Sequence, residues 1–111
     1  MTAIKRYRGD THAIPRTMRS KRTGAIINIT GYSFKLSVDT LKNPTDEVTQ
    51  VFKLTGAITN AALGEYQFSP NASQADNVGA MFYDIEVTDA SGAIETVEKD
   101  TYTVSQDLTK T

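Results

Sequence analysis

The chain reads as one all-β domain, and three observations carry that reading. Met81, Tyr83, Ile85 and Val87 alternate with Phe82, Asp84, Glu86 and Thr88, the period of two that sends one row of side chains to a core and the other to water. Sixteen threonines, with many valines and isoleucines, tilt the composition toward residues that fit a pleated sheet. Glycine, proline, asparagine and aspartate interrupt the apolar runs at intervals of roughly ten residues, as turns between short strands do. A chain of 111 residues is long enough for one core that buries roughly two-thirds of the unfolded surface, so the expected domain spans 1–111.

From the start, Ala3–Arg8 and His12–Arg19 look extended, with Gly9 and Asp10 between them. Pro15 cannot donate to a sheet ladder, which places the second piece on an edge or at a bulge, where chains often change sheets. Ser20–Gly24 is a turn, and Ala25–Thr30 is expected to form a short strand that Gly31 ends. Tyr32, Phe34, Leu36 and Val38 then alternate with Ser33, Lys35, Ser37 and Asp39, predicting a strand with one face in the core. Leu41–Glu47 is polar and loop-like. Strand character returns at Val48 and runs through Val51, Phe52 and Leu54 to Gly56, with Ala57–Thr59 expected to continue the same sheet after a bend.

Asn60–Ser69 holds a turn at Leu63 and Gly64, then Tyr66 and Phe68 on one face. Tyr66 follows Gly64 as in a tyrosine corner, whose phenol reaches back to the backbone, although a plain core aromatic is the commoner origin of that pattern. Pro70–Asn77 is expected to be the longest surface loop. The hairpin Gly79–Val104 turns at Asp89–Gly92, with Ile94, Val97, Tyr102 and Val104 as the apolar positions of the return. The count of about seven or eight strands is that of an immunoglobulin-like antiparallel β-sandwich. A small closed barrel satisfies the same count.

Cysteine is absent, which excludes disulfides and thiolate metal sites. No apolar run approaches the roughly 20 residues of a membrane helix, and the opening MTAIKRYRGDTHAIPR has no apolar signal core, so no membrane partner and a cytoplasmic origin are expected. The net charge is −1, but residues 1–22 hold seven basic residues against Asp10 alone, a net +6 that leaves −7 for the rest. The basic segment, about 1–10, is expected either to meet an acidic neighbour through Lys5, Arg6 and Arg8 or to guard a sheet edge by its charge. Nucleic acid could take the same cations, but the remainder is acidic and shows no paired aromatics for base stacking.

Little points to catalysis. His12 is the only histidine and has no thiol to activate. Asp84, Glu86 and Asp89 are near one another, and Asp76 precedes Asn77, but neither group has the dense Asp/Asn pattern of a calcium loop. Phosphate-cradling glycine motifs are missing. Enzyme activity, cofactor, metal and small-molecule substrate are therefore not expected. The Arg8-Gly9-Asp10 tripeptide and the sequons at Asn28 and Asn71 bear meaning only in a secreted chain.

Four stretches together resemble a known set: Arg8-Gly9-Asp10-Thr11, Ile29-Thr30-Gly31-Tyr32-Ser33-Phe34, Gly64-Glu65-Tyr66, and Tyr83-Asp84-Ile85-Glu86-Val87-Thr88-Asp89, the last continuing through Gly92, Thr101 and Val104 to Asp107-Leu108-Thr109. In that order and spacing they resemble the immunoglobulin-like N-terminal domain of bacteriophage and prophage baseplate upper proteins and related tail proteins. The family's turn glycine before its last strand is replaced by Lys99-Asp100, and its long C-terminal regions have no counterpart here. The resemblance implies a non-enzymatic structural adaptor of a phage tail or baseplate, located in the virion, whose partners are other virion proteins and copies of itself. The alternative weighed beside it is a carbohydrate-binding module for host adhesion, for which Phe82, on the outward parity, is the one aromatic candidate.

Overall fold

The computed structural model describes residues 3–42 and 50–106. Within them the chain forms β1 (Ile4–Tyr7), β2 (Ile14–Thr17), β3 (Ser33–Asp39), β4 (Gln50–Thr55), β5 (Ala57–Asn60), β6 (Glu65–Phe68), a single-turn α1 (Ala72–Ala75), β7 (Gly79–Thr88) and β8 (Ile94–Ser105). The eight strands make two sheets, one ordered β1-β8-β7-β3-β4 and the other β2-β6-β5. The all-β sandwich expected from the pattern is what the chain forms, with one departure from a purely antiparallel design: β1 runs parallel to β8. Val48, the loop residues Asn43–Glu47 and the terminal Asp107-Leu108-Thr109 lie outside the described residues.

The alternating segments supply the core. Phe34, Leu36 and Val38 from β3 and Met81, Tyr83, Ile85 and Val87 from β7 all point inward from the middle of the larger sheet, and each is 5% exposed or less. Ile14, Tyr66 and Phe68 answer them from the smaller sheet, and Ile29 plugs the space between with no exposed surface. Each such side chain contributes about 1.5–3 kcal/mol on burial. The two layers meet through aromatic rings, with Tyr66 stacked on Phe34 and edge-on to Phe68. Tyr66 is thus a core aromatic in its packing. Tyr32, expected in the core, is half-buried at the margin and tilted against Phe34.

Three expectations are corrected by local chemistry. Ala25–Thr30 is not a strand; its one ladder-type contact is an isolated bridge between Arg19 and Ile26, beside single bonds from the Ile27 amide to the Met18 carbonyl and from the Ile29 amide to the Ala61 carbonyl. Asn28 Oδ1 accepts hydrogen bonds from the Thr30 amide at 3.0 Å and the Thr30 hydroxyl at 2.7 Å, a local closure that competes with a ladder. Ala57–Asn60 does not continue the sheet of β4 but pairs with β6 in the other one. The crossing is made at Gly56, whose amide donates to the Phe34 carbonyl at 2.8 Å; a Cβ there would lie 2.8 Å from Phe34 Cβ and 3.1 Å from a Phe68 ring carbon. Pro70–Asn77 holds one helical turn, started by reciprocal hydrogen bonds between Asn71 and Gln74.

Pro15 does sit on an edge, since β2 pairs only with β6, and the chain changes sheets between β1 and β2. At the hairpin, Asp89 Oδ1 accepts from the Ser91 and Ala93 amides and from the Ser91 hydroxyl, and Gly92 takes φ of +93°. Those bonds, the Ser91 hydroxyl first, hold the Asp89 carboxyl below its ordinary pKa.

Candidate interaction site

The basic segment does not form a separable arm. Ile4–Tyr7 lies in register against Tyr102–Ser105, with Ile4 and Arg6 turned inward and Lys5 and Tyr7 outward. Arg6 is only 6% exposed. Its guanidinium donates to the carbonyl oxygens of Asp10 at 2.9 Å and His12 at 2.7 Å, with the His12 ring 3.4 Å away, and so fastens the connection between the two sheets. The expected role of Arg6 in reaching a neighbour is corrected accordingly: it is an internal tie, and parity in the strand, not charge, sets its direction. Arg8 is half-exposed and pairs with Asp76 at 2.6 Å beside α1. Lys5 alone of the three projects outward from the β1 edge.

A site that the sequence reading missed lies at the open end between β2 and β8. Ile14 and Arg16 share the inward parity of β2, and Arg16 meets Glu98 of β8 as a fork, Nε to Oε1 at 2.9 Å and Nη2 to Oε2 at 2.8 Å. The Tyr83 hydroxyl donates to the same Glu98 oxygen. Both charged side chains are under 20% exposed, so the pair bridges the sheets in a poorly solvated setting where both hydrogen-bonding and charge are satisfied. Burial first, then Glu98, pushes the Tyr66 phenol up to about 12 and raises that of Tyr83 as well.

Glu98 reaches this position because β8 carries a bulge. Ile85 pairs with Glu98 and Glu86 with Thr96, leaving Val97 as the extra residue. Beyond the bulge the parity of β8 reverses. Ile94, an apolar position of the return strand, is 65% exposed, while Glu95 comes opposite the buried Val87.

Above the Arg16–Glu98 pair opens a cleft of about 420 Å³. Met18, Ile27, Val97 and the edge of Tyr66 give it an apolar floor, and Arg19, Lys21 and Arg22 stand on its rim. The rim is a structured loop: Ser20 Oγ accepts from the Arg22 and Thr23 amides, and Gly24 closes the turn on the Ser20 carbonyl at 2.8 Å. Gly64 braces it from behind, since a Cβ there would lie 2.7 Å from the Ile27 carbonyl and 2.9 Å from that of Met18, and its φ is +67°. Lys21 pairs with Glu95 at 2.9 Å in a well-exposed contact, and Arg19 donates to the Gly24 carbonyl at 3.2 Å.

The other candidates are placed as follows. Asp84 and Glu86 stand on the outer face of β7, where burial, then the Glu86 charge, raises the Asp84 pKa. Among the described residues no group of three histidine, aspartate or glutamate side chains is placed to hold a metal. Phe82 is half-buried on the outer face and lines a shallow recess of about 310 Å³ with Lys42, Lys99, Asp100 and Thr101. No helix among the described residues is long and apolar enough to cross a membrane. No protein-family model matches the sequence, and no curated protein matches it.

Proposed function

We propose that this chain is a non-enzymatic structural adaptor of a phage or prophage tail or baseplate, acting in the virion through contacts with other virion proteins and with copies of itself. The observation that supports this reading is the display of exposed cations, Lys5 on β1 and Arg19, Lys21 and Arg22 on the loop after β2, in a chain whose residues 23–111 sum to −7. A small sandwich with opposite charge on different surfaces suits contact between repeated subunits. The phage setting comes from the resemblance of the four stretches. Mass spectrometry and electron cryomicroscopy of purified particles from a host that makes the chain form the test. Repeated copies of the sandwich in the tail are expected; particles that lack the chain would overturn the proposal.

A second reading, a carbohydrate-binding module, is favoured by one observation, the recess beside Phe82 with polar and charged neighbours. Aromatic faces bordered by hydrogen-bonding groups suit sugar rings. Glycan-array binding that disappears in Phe82→Ala would select it.

A further inference from the structure

We infer that the cleft between β2 and β8 is a docking site for an acidic, extended segment of a partner protein. The inference deepens the adaptor reading and rests on it for the existence of such a partner. Arg16 is committed to Glu98, with both side chains under 20% exposed, so it shapes the floor rather than the rim. Lys21 is held by Glu95 in a contact whose side chains are 68% and 56% exposed. A pair so solvated is worth about 1 kcal/mol or less, and Lys21 can exchange Glu95 for an incoming carboxylate at little cost. Arg19 makes one bond to a backbone carbonyl, which leaves most of its donors for another acceptor. Arg22 adds a third exposed cation on the same loop.

The floor selects the kind of anion. Met18, Ile27 and Val97 offer apolar contact in a space of about 420 Å³, within the size range of ligand clefts and able to take a few side chains. Glu98 is neutralised by Arg16, and the apolar floor beneath the rim cations offers a phosphodiester backbone nothing to contact, so a nucleic acid would use the rim alone. A peptide that alternates carboxylate and aliphatic side chains matches both features: its carboxylates meet Arg19, Lys21 and Arg22, and its aliphatic groups meet the floor. The rim is preorganised by the Ser20 turn and by Gly64, so little ordering remains for binding.

The test uses the purified chain and a fluorescent, acetylated and amidated peptide Glu-Leu-Asp-Leu-Glu, with binding followed by anisotropy and by amide NMR shifts. Saturable binding that weakens as salt rises, with shifts at Met18, Ile27 and Val97, is expected. Joint replacement Arg19→Glu and Arg22→Glu should weaken it by about tenfold or more, while Arg8→Glu leaves it unchanged. The doubly reversed protein should instead take the peptide Lys-Leu-Lys-Leu-Lys, which separates lost binding from lost folding. Shifts confined to other surfaces, or equal binding of a thymidine oligonucleotide, would overturn the inference. So would self-association abolished by the double reversal, since the occupant would then be a second copy. Failure of the peptide with the chain still present in particles removes this inference and leaves the adaptor reading; peptide binding by a chain absent from particles does the reverse.

Discussion

The ring of Phe34 in β3 lies flat on the ring of Tyr66 in β6, with centroids 3.8 Å apart and planes 9° from parallel. This stack joins the two sheets at the place where the chain crosses between them, because Gly56 passes directly over Phe34. One aromatic pair therefore fixes both the spacing of the layers and the path of the chain.

Removing a ring from that stack should be costly. Phe34→Ala is expected to lower stability by about 3–5 kcal/mol, a large part of what a small domain has. Tyr66→Phe keeps the ring and should cost far less. Urea titration of both variants checks the contrast, and equal losses would show that the phenol, not the stacking, holds the layers.

The glycines give a graded series. Gly64→Ala meets two backbone carbonyls at under 3.0 Å and a positive φ together, whereas Gly24→Ala meets a positive φ alone, with nothing within 4 Å. The second should cost about 1 kcal/mol and the first clearly more. Gly56→Ala, with no positive φ, should fall between them through its contact with Phe34. Thermal melts of the three variants read the order directly.

The basic segment divides by burial. Arg6→Ala removes two charged hydrogen bonds from a buried site and is expected to cost about 2 kcal/mol or more. Lys5→Ala and Arg8→Ala should change stability by less than about 1 kcal/mol, because one side chain is exposed and the other forms a half-exposed pair. Denaturation midpoints that rank Arg8 above Arg6 would contradict the placement of β1.

Alkaline pH should unfold the domain through its phenols. Tyr66 and Tyr83 have folded-state pKa values above their ordinary 10, by burial first, then through Glu98. A group raised in this way keeps its full contribution below the unfolded value and loses it as pH climbs through the folded one. Stability should thus hold up to pH about 10 and decline toward about 12, the value for Tyr66. Tyr66→Phe should flatten part of that decline in melts recorded against pH.

The sequence was most legible where alternation ran longest. Phe34–Val38 and Met81–Val87 each keep one parity over several residues, and every one of those inward positions is buried. Arg6 was not legible, because its strand has four residues and an inward arginine contradicts the apolar-in pattern until its carbonyl partners are known. Glu98 was hidden by the bulge at Val97, which reverses parity within one strand and carries no signal of its own in the residues. Gly56 announced a bend but not its destination; only the clearance over Phe34 shows that the chain must leave the sheet there. The cleft was divided between segments that lie some eighty positions apart, as the Arg16–Glu98 pair shows, and no local pattern could join them.

The parallel alignment of β1 with β8, from Ile4 opposite Tyr102 to Tyr7 opposite Ser105, has a mechanical consequence. Tension that draws the two ends of the domain apart along the strands slides β1 past β8, so the rungs between them bear the load together instead of opening one after another. The hairpin of β7 and β8 is shielded until that ladder shears. Pulling the domain by its two ends should therefore give one high force peak, and pulling it by Tyr7 and Ser105, which lie side by side at one end of the ladder, should peel the rungs one after another at lower force.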